Sequence, residues 1–247
     1  MISVLIQTEI ESKNSPNLCM HPILGRPIIE LIIERLRSCN GIDRIVVVGG
    51  RSEEYDELQS LCDILDVPIY REDDYGMLRK LYNASKSFDS EAMVRVLANY
   101  PLVDPNLVDD VVNLYLNNRK KYDYCSNINP RTFPRGLEVE LYPVQTMEKL
   151  FNCCDDNLSM DEYPKVLLKN PEEFRIGNVS DGINRSMMRW VVENLDDIKF
   201  VTEIYKALYS PGDCFGRDEV FRLLREHPEL MAINAEEKTT GVKLKNA

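Results

Sequence analysis

Histidine is almost absent from this chain of 247 residues, which holds only His21 and His227, and its seven cysteines include no Cys-x-x-Cys pair. Zinc centres draw on such ligands at close spacing, so none is expected. No Ser-His-Asp, His-Glu-x-x-His, Walker or Gly-x-Gly-x-x-Gly pattern is present either. The cysteines (19, 39, 62, 125, 153, 154 and 214) are odd in number and scattered. They read as free thiols of a reducing cytoplasm, with Cys153 and Cys154 as partly buried helix residues. Positive charge is also short. Thirty Lys and Arg stand against 41 Asp and Glu, a net charge of −11. Such a chain exerts no general pull on nucleic acid or an anionic membrane, and neither partner is expected. A nucleotide could still bind a local basic pocket or a helix N-terminus. No apolar run approaches the roughly 20 residues that span a bilayer. Met1-Ile2-Ser3-Val4-Leu5-Ile6 has no basic flank or small-residue cleavage site, so it reads as a first strand rather than a signal peptide. A soluble, cytoplasmic protein is expected.

What is there is an alternation of buried strands and amphipathic helices. Hydrophobic residues make up 44% of the chain, enough for one α/β domain with a sizeable core. Strands are predicted over residues 2–6, 43–48, 67–70, 93–97 and 122–126. Helices are predicted over 27–37, 52–65, 75–85 and 105–116. The unbroken Ile45-Val46-Val47-Val48 suggests burial on both faces of a parallel sheet. Ser52 and Asp104 are candidate N-caps, and Pro27 and Pro105 sit at first-turn positions. Beyond residue 126 the pattern changes. An alternating strand at 137–142 suggests an antiparallel edge or arm. Helices follow at 144–152 and 162–169, strands at 174–179 and 186–192, and helices at 194–209 and 216–226. This reads as one α/β domain over 1–234, an inserted arm at about 127–180, and a polar tail over 235–247. In such a sheet the ligand sits beyond the carboxyl ends of the strands. The loop 7–25 leaves the first strand at that edge. Its length fits either a functional loop or a plain surface loop.

Two stretches carry the chemistry. They are Arg95-Val96-Leu97-Ala98-Asn99-Tyr100-Pro101-Leu102-Val103-Asp104-Pro105 and Thr132-Phe133-Pro134-Arg135-Gly136-Leu137-Glu138-Val139-Glu140. Together they resemble the two central motifs of the cytidylyltransferase family that includes CMP-KDO synthetase and the spore-coat polysaccharide enzymes similar to it. The resemblance runs from about Ser3 to about Asn234. It implies a Rossmann-like, three-layer nucleotide-diphospho-sugar transferase fold, mostly parallel with an inserted antiparallel arm, and a homodimer. It also implies transfer of CMP from CTP to a sugar, with magnesium.

Position by position, the resemblance is uneven. The family's phosphate loop runs Gln-Ala-Arg-x-x-Ser-x-Arg-x-Pro-Gly-Lys. Here Gln7, Ser12 and Pro16 match, but Glu9, Asn14 and Leu18 stand at the basic positions. Exchanging a cation for Glu9 beside a triphosphate is worth several kcal/mol at an effective dielectric of about 20. Lys13 remains nearby, and Leu24-Gly25-Arg26-Pro27 keeps a cation as Arg26, although it also reads as a turn into a helix. The family's Asp-x-Leu-x-Arg-Tyr appears as Gly76-Met77-Leu78-Arg79-Lys80-Leu81. The family's metal-binding Asp in the first stretch is Asn99 here, an oxygen donor without charge. Its second metal Asp, in Arg189-Trp190-Val191-Val192-Glu193-Asn194-Leu195-Asp196-Asp197, is Glu193, one methylene longer.

The resemblance thus assigns Gln7, Ser12, Lys13, Arg26 and Arg95 to the nucleotide. Lys13, Asn99 and Glu193 fall to catalysis, with Asn99 and Glu193 on magnesium. Asn127, Arg135, Glu138 and Glu140 fall to the sugar, Arg135 being suited to a carboxylate through its fork. Salt bridging among Arg131, Arg135, Glu138 and Glu140 is the structural alternative. Asp196 and Asp197 also read as first-turn helix acids, and Asp104 as a cap. Three functions follow: a CTP-dependent nucleotidyltransferase of surface polysaccharide synthesis, a descendant that kept the pocket and lost turnover, or an enzyme with a different donor whose charge is met by a different residue set.

Overall fold

A computed structural model describes residues 1–8, 18–73, 76–119, 121–153, 158, 160 and 162–235. Seven strands form one sheet in the order β5-β4-β1-β6-β8-β7-β9. They are β1 (Ile2–Gln7), β4 (Arg44–Gly49), β5 (Ile69–Arg71), β6 (Ala92–Leu97), β7 (Tyr124–Ser126), β8 (Glu140–Pro143) and β9 (Ile176–Asn178). Strand β1 pairs in parallel with β4 and β6, and β4 with β5. Strand β8 runs antiparallel to both β6 and β7, while β7 and β9 are parallel. The small strands β2 (Pro22–Ile23) and β3 (Arg26–Pro27) form a separate antiparallel ribbon.

Side-chain alternation along the strands divides the interior into two cores. Val4, Ile6, Val47, Val94 and Val96 face one side. There they meet α1 (Ile28–Leu36), α4 (Pro105–Leu116), α7 (Leu195–Leu208) and α8 (Arg217–Glu226). Leu5, Val46, Val48 and Met93 face the other. They pack on α3 (Met77–Ser87), α5 (Val144–Cys153) and α6 (Tyr163–Lys169). The result is the three-layer α/β arrangement, and each central strand is apolar on both faces because each face is covered.

Asp104 caps α4 as expected: its carboxylate accepts the Leu107 N–H at 2.9 Å, with Pro105 at the first helical position. Ser52 precedes a 3-10 turn, Glu53–Tyr55, that leads into α2 (Asp56–Ile64), and makes no side-chain cap bond. Three sequence expectations are corrected. The strand expected over 137–142 is Glu140–Pro143, and it lies inside the sheet rather than at an edge. Residues 137–139 are left out because the Asn127 side chain takes their backbone groups: its Nδ2 donates to Leu137 O and its Oδ1 accepts from Val139 N. The strand expected over 186–192 is not formed; that segment makes a single bridge, Arg135 to Arg189. Pro27 belongs to β3 and stands just before α1.

Candidate functional site

The strand order locates the site. From β1 the chain builds outward through β4 and β5, then returns to the other side of β1 with β6. The strand order therefore reverses between β1 and β6, and open α/β sheets bind ligands in the crevice beyond the carboxyl ends of the strands at such a point. Gln7 and Thr8 end β1, Asn99 follows β6, Asn127 follows β7, and Glu140 begins β8 at the same edge.

Three linked groups of polar residues line this edge. In the first, Arg95 shares the face of Met93 because strand side chains alternate with period two. It therefore enters the α3–α5 core, where no water can solvate it, and needs a counter-ion. The register supplies one, since Arg95 stands opposite Glu140. Arg95 Nη1 meets Glu140 Oε2 at 2.5 Å, and Arg95 Nε donates to Gln7 Oε1 at 2.8 Å. The other oxygen of Glu140 accepts the hydroxyls of Tyr124 and Tyr142, each at 2.8 Å. All five side chains are buried. Burial, reinforced by Glu140, pushes both phenols well above their usual range, so they stay protonated donors. Arg95 and Glu140, expected at nucleotide and sugar, are thus bound to each other and reach the crevice through Gln7.

The second group is built on the segment 188–194. Asn99 grips it twice: its backbone oxygen accepts from Val192 N at 3.0 Å, and its Nδ2 donates to Val192 O at 3.0 Å. Asn99 Oδ1 is enclosed and has no hydrogen-bond partner among the described residues. Glu193 follows directly. Its Oε1 takes Arg135 Nη2 at 3.1 Å and its Oε2 takes Arg189 Nη2 at 2.8 Å. Arg189 also clasps Asp197 with both arms of its fork, at 2.8 and 2.7 Å. Asp197 is fully buried and closes a capping box with Asn194 at the start of α7. Burial alone pushes the Asp197 carboxyl up, but bonds from Arg189, the Glu193 N–H and Asn234 outweigh it and hold the group below its usual range. Arg135 is the open member, its side chain 46% exposed.

In the third group, Glu138 joins Arg131 at 3.1 Å to the Gly136 N–H at 2.6 Å. Gly136 has φ +98°, and a Cβ there would lie 2.5 Å from Val191 N. Only glycine lets the 132–140 strip approach the 188–192 segment this closely. Asn127 makes the strip's backbone bonds described above and is 1% exposed.

Arg26 lies apart from these groups. The ribbon turn Leu24-Gly25, with φ of +52° and +79°, sends it back along α1. There it meets Glu30 at 2.9 Å, Glu34 at 2.7 Å, and the Tyr209 hydroxyl. Leu18 packs against the main core. Arg79 lies over the Phe151 ring at 4.5 Å, and Lys80 is buried on α3. Glu9, Ser12, Lys13 and Asn14 lie outside the described residues.

The donor set does not fit a magnesium ion. Such an ion wants one or two carboxylates beside substrate oxygens. Asn99 offers an uncharged oxygen, and both oxygens of Glu193 are already held by guanidinium groups. Among the described residues no group of three His, Cys, Asp or Glu is placed to hold a metal. Arg189 and Asn234, which with Asp197 organise Glu193, carry no role in the sequence reading, where Asp197 stands as a first-turn helix acid. The spacing of Arg189, Glu193 and Asp197 at steps of four carries that signal.

Comparison with known proteins agrees with this fold. Residues 17–157 match the model of the MobA-like NTP transferase domain family. An uncharacterized protein of Methanocaldococcus jannaschii is 25% identical over 235 residues, 94% of this chain and 93% of its own length. The spore coat polysaccharide biosynthesis protein SpsF of Bacillus subtilis is 19% identical over 240 residues, 92% of this chain and 95% of its own. A solved cytidylyltransferase structure from Leptospira borgpetersenii superposes with a TM-score of 0.84 at 19% identity, covering 93% of this chain and 95% of that one.

Proposed function

The chain belongs to the family of MobA-like NTP transferase domains, and from that premise we propose that it transfers CMP from CTP to an acidic sugar destined for a surface polysaccharide. The observation that carries this reading is the reversal of strand order between β1 and β6, with Gln7 and Asn99 at the carboxyl ends of these strands and the half-exposed Arg135 tied to Glu193 next to the segment Asn99 holds. In this reading the sugar hydroxyl attacks the α-phosphate in line, and pyrophosphate leaves. Arg135 takes the sugar carboxylate through its fork. Arg95 and Glu140 are positioning residues that fix the Gln7 amide at the crevice. Ser12 and Lys13 stay assigned to the phosphates by the family resemblance, as does a homodimer. SpsF and the Leptospira cytidylyltransferase, by their names, support the choice of donor and pathway.

A specific observation favours a second reading, a sugar- or nucleotide-binding descendant without turnover. Asn99 stands where the family resemblance expects a carboxylate, and Glu193 is bound by two arginines. One assay separates them. Pyrophosphate release is followed with CTP and a panel of acidic sugars, alongside calorimetric binding of CTP. Release that needs both substrates supports the transferase. Binding heat without release leaves the binding protein, and neither signal removes both readings.

A further inference from the structure

The arrangement around Glu193 has a meaning for how the site meets negative charge. Arg135, Arg189, Glu193 and Asp197 sum to zero formal charge, and they are joined in one chain of contacts of 2.7 to 3.1 Å. A divalent cation at Glu193 would stand beside two guanidinium groups. Solvent weakens that repulsion at the half-exposed Arg135 and less at Arg189, whose side chain is 16% exposed. An anion meets the opposite situation. Among the described residues Arg135 meets one carboxylate, Glu193, through Nη2, and its side chain is 46% exposed and so open to solvent. Arg189 keeps Glu193 in place when Arg135 lets go, because its second carboxylate, Asp197, is buried and fixed by the α7 capping box.

We infer that Glu193 is the resident counter-ion of Arg135, exchanged there for an anionic oxygen of a substrate, and is not a ligand to a divalent cation. The inference rests on the nucleotidyltransferase reading and sharpens it: substrate binding at this site needs no metal. The incoming oxygen can be a phosphate of CTP or the carboxylate of an acidic sugar, which share the same guanidinium chemistry.

The test is calorimetric titration of CTP and, separately, of the acidic sugar KDO, each in EDTA and in millimolar magnesium. The wild-type chain is compared with Glu193→Gln and Arg135→Gln. One ligand is expected to bind in EDTA within about threefold of its affinity in magnesium. Glu193→Gln should tighten that ligand by about threefold in EDTA, the scale of a half-exposed ion pair that no longer competes. Arg135→Gln should weaken it by about tenfold. The ligand that follows this pattern is the source of the anion. Binding that drops tenfold or more in EDTA, with that dependence gone in Glu193→Gln, would overturn the inference and leave the transferase reading intact. Unchanged affinity in Glu193→Gln, with that variant melting like wild type, would also overturn it. A wild-type spectrum showing bound Mn2+ by paramagnetic resonance would do so without any variant. Failure of both ligands to bind in either buffer would instead remove the transferase reading, and the inference with it.

Discussion

Two Arg–Glu contacts stand at the same sheet edge, and they behave as opposites. Arg95–Glu140 is sealed: each side chain is about 5% exposed, and every oxygen of Glu140 has a donor. Arg135–Glu193 is half open, at 46% and 35% exposure, and its arginine has one described carboxylate partner. A sealed pair that loses one member leaves a charge with no solvent, so it cannot trade partners. An open pair is worth little and can exchange. Arg95, Glu140 and Arg135 lie in the two central motif stretches and Glu193 in a third, so a motif position alone does not tell framework from working group. Burial and the number of partners do.

The strongest way to break this contrast is Glu140→Ala. It strands Arg95 and two tyrosine hydroxyls in the α3–α5 core, and urea unfolding should show a loss of roughly 3 to 5 kcal/mol. Gly136→Ala comes next, because it forces a side chain against Val191 N at a φ of +98°. A loss of roughly 2 to 3 kcal/mol is expected in the same assay, with the Arg135–Glu193 contact displaced.

Asp197→Asn tests the support behind the open pair. The Asp197 carboxyl is held below its usual value, so its contribution is present above about pH 4, the value of an unfolded aspartate, and is lost as pH falls below that. The variant should be about 2 kcal/mol less stable at pH 7, and the gap should close on acidification below pH 4. Unfolding curves across that range check the sign, and a gap that widens in acid would refute it. The smallest effect belongs to Glu193→Gln, at about 0.5 kcal/mol or less in stability. A loss there matching Glu140→Ala would erase the distinction between the two pairs.

Much of this was legible in the sequence, and the exceptions share a cause. The βα alternation, the Asp104 cap and the family resemblance rest on local patterns such as Ile45-Val46-Val47-Val48, and the structure follows them. Arg95 in the run Ala92-Met93-Val94-Arg95-Val96 shows that a charge enters a core. Its partner lies 45 residues away, and only the β6–β8 register brings it opposite. The segment 186–192 has the composition of a strand. A strand also needs a neighbour along its length, and among the described residues the backbone of this segment pairs across the fold with that of Arg135 and Asn99. The resemblance assigns Asn127 to the sugar, and the structure shows its amide completing the backbone of 137–139.

Asp104 serves more than the helix it begins. Its second oxygen accepts the Arg217 N–H at 2.6 Å, where α8 starts, so one carboxylate closes the first turn of two helices 113 residues apart. A descendant that abandoned its reaction would still have to keep this residue in order to fold. A survey of relatives keyed on Pro101-Leu102-Val103-Asp104-Pro105 would therefore count shared architecture. The fate of the chemistry has to be read from position 193, whose half-open side chain pairs with two arginines and closes no helix.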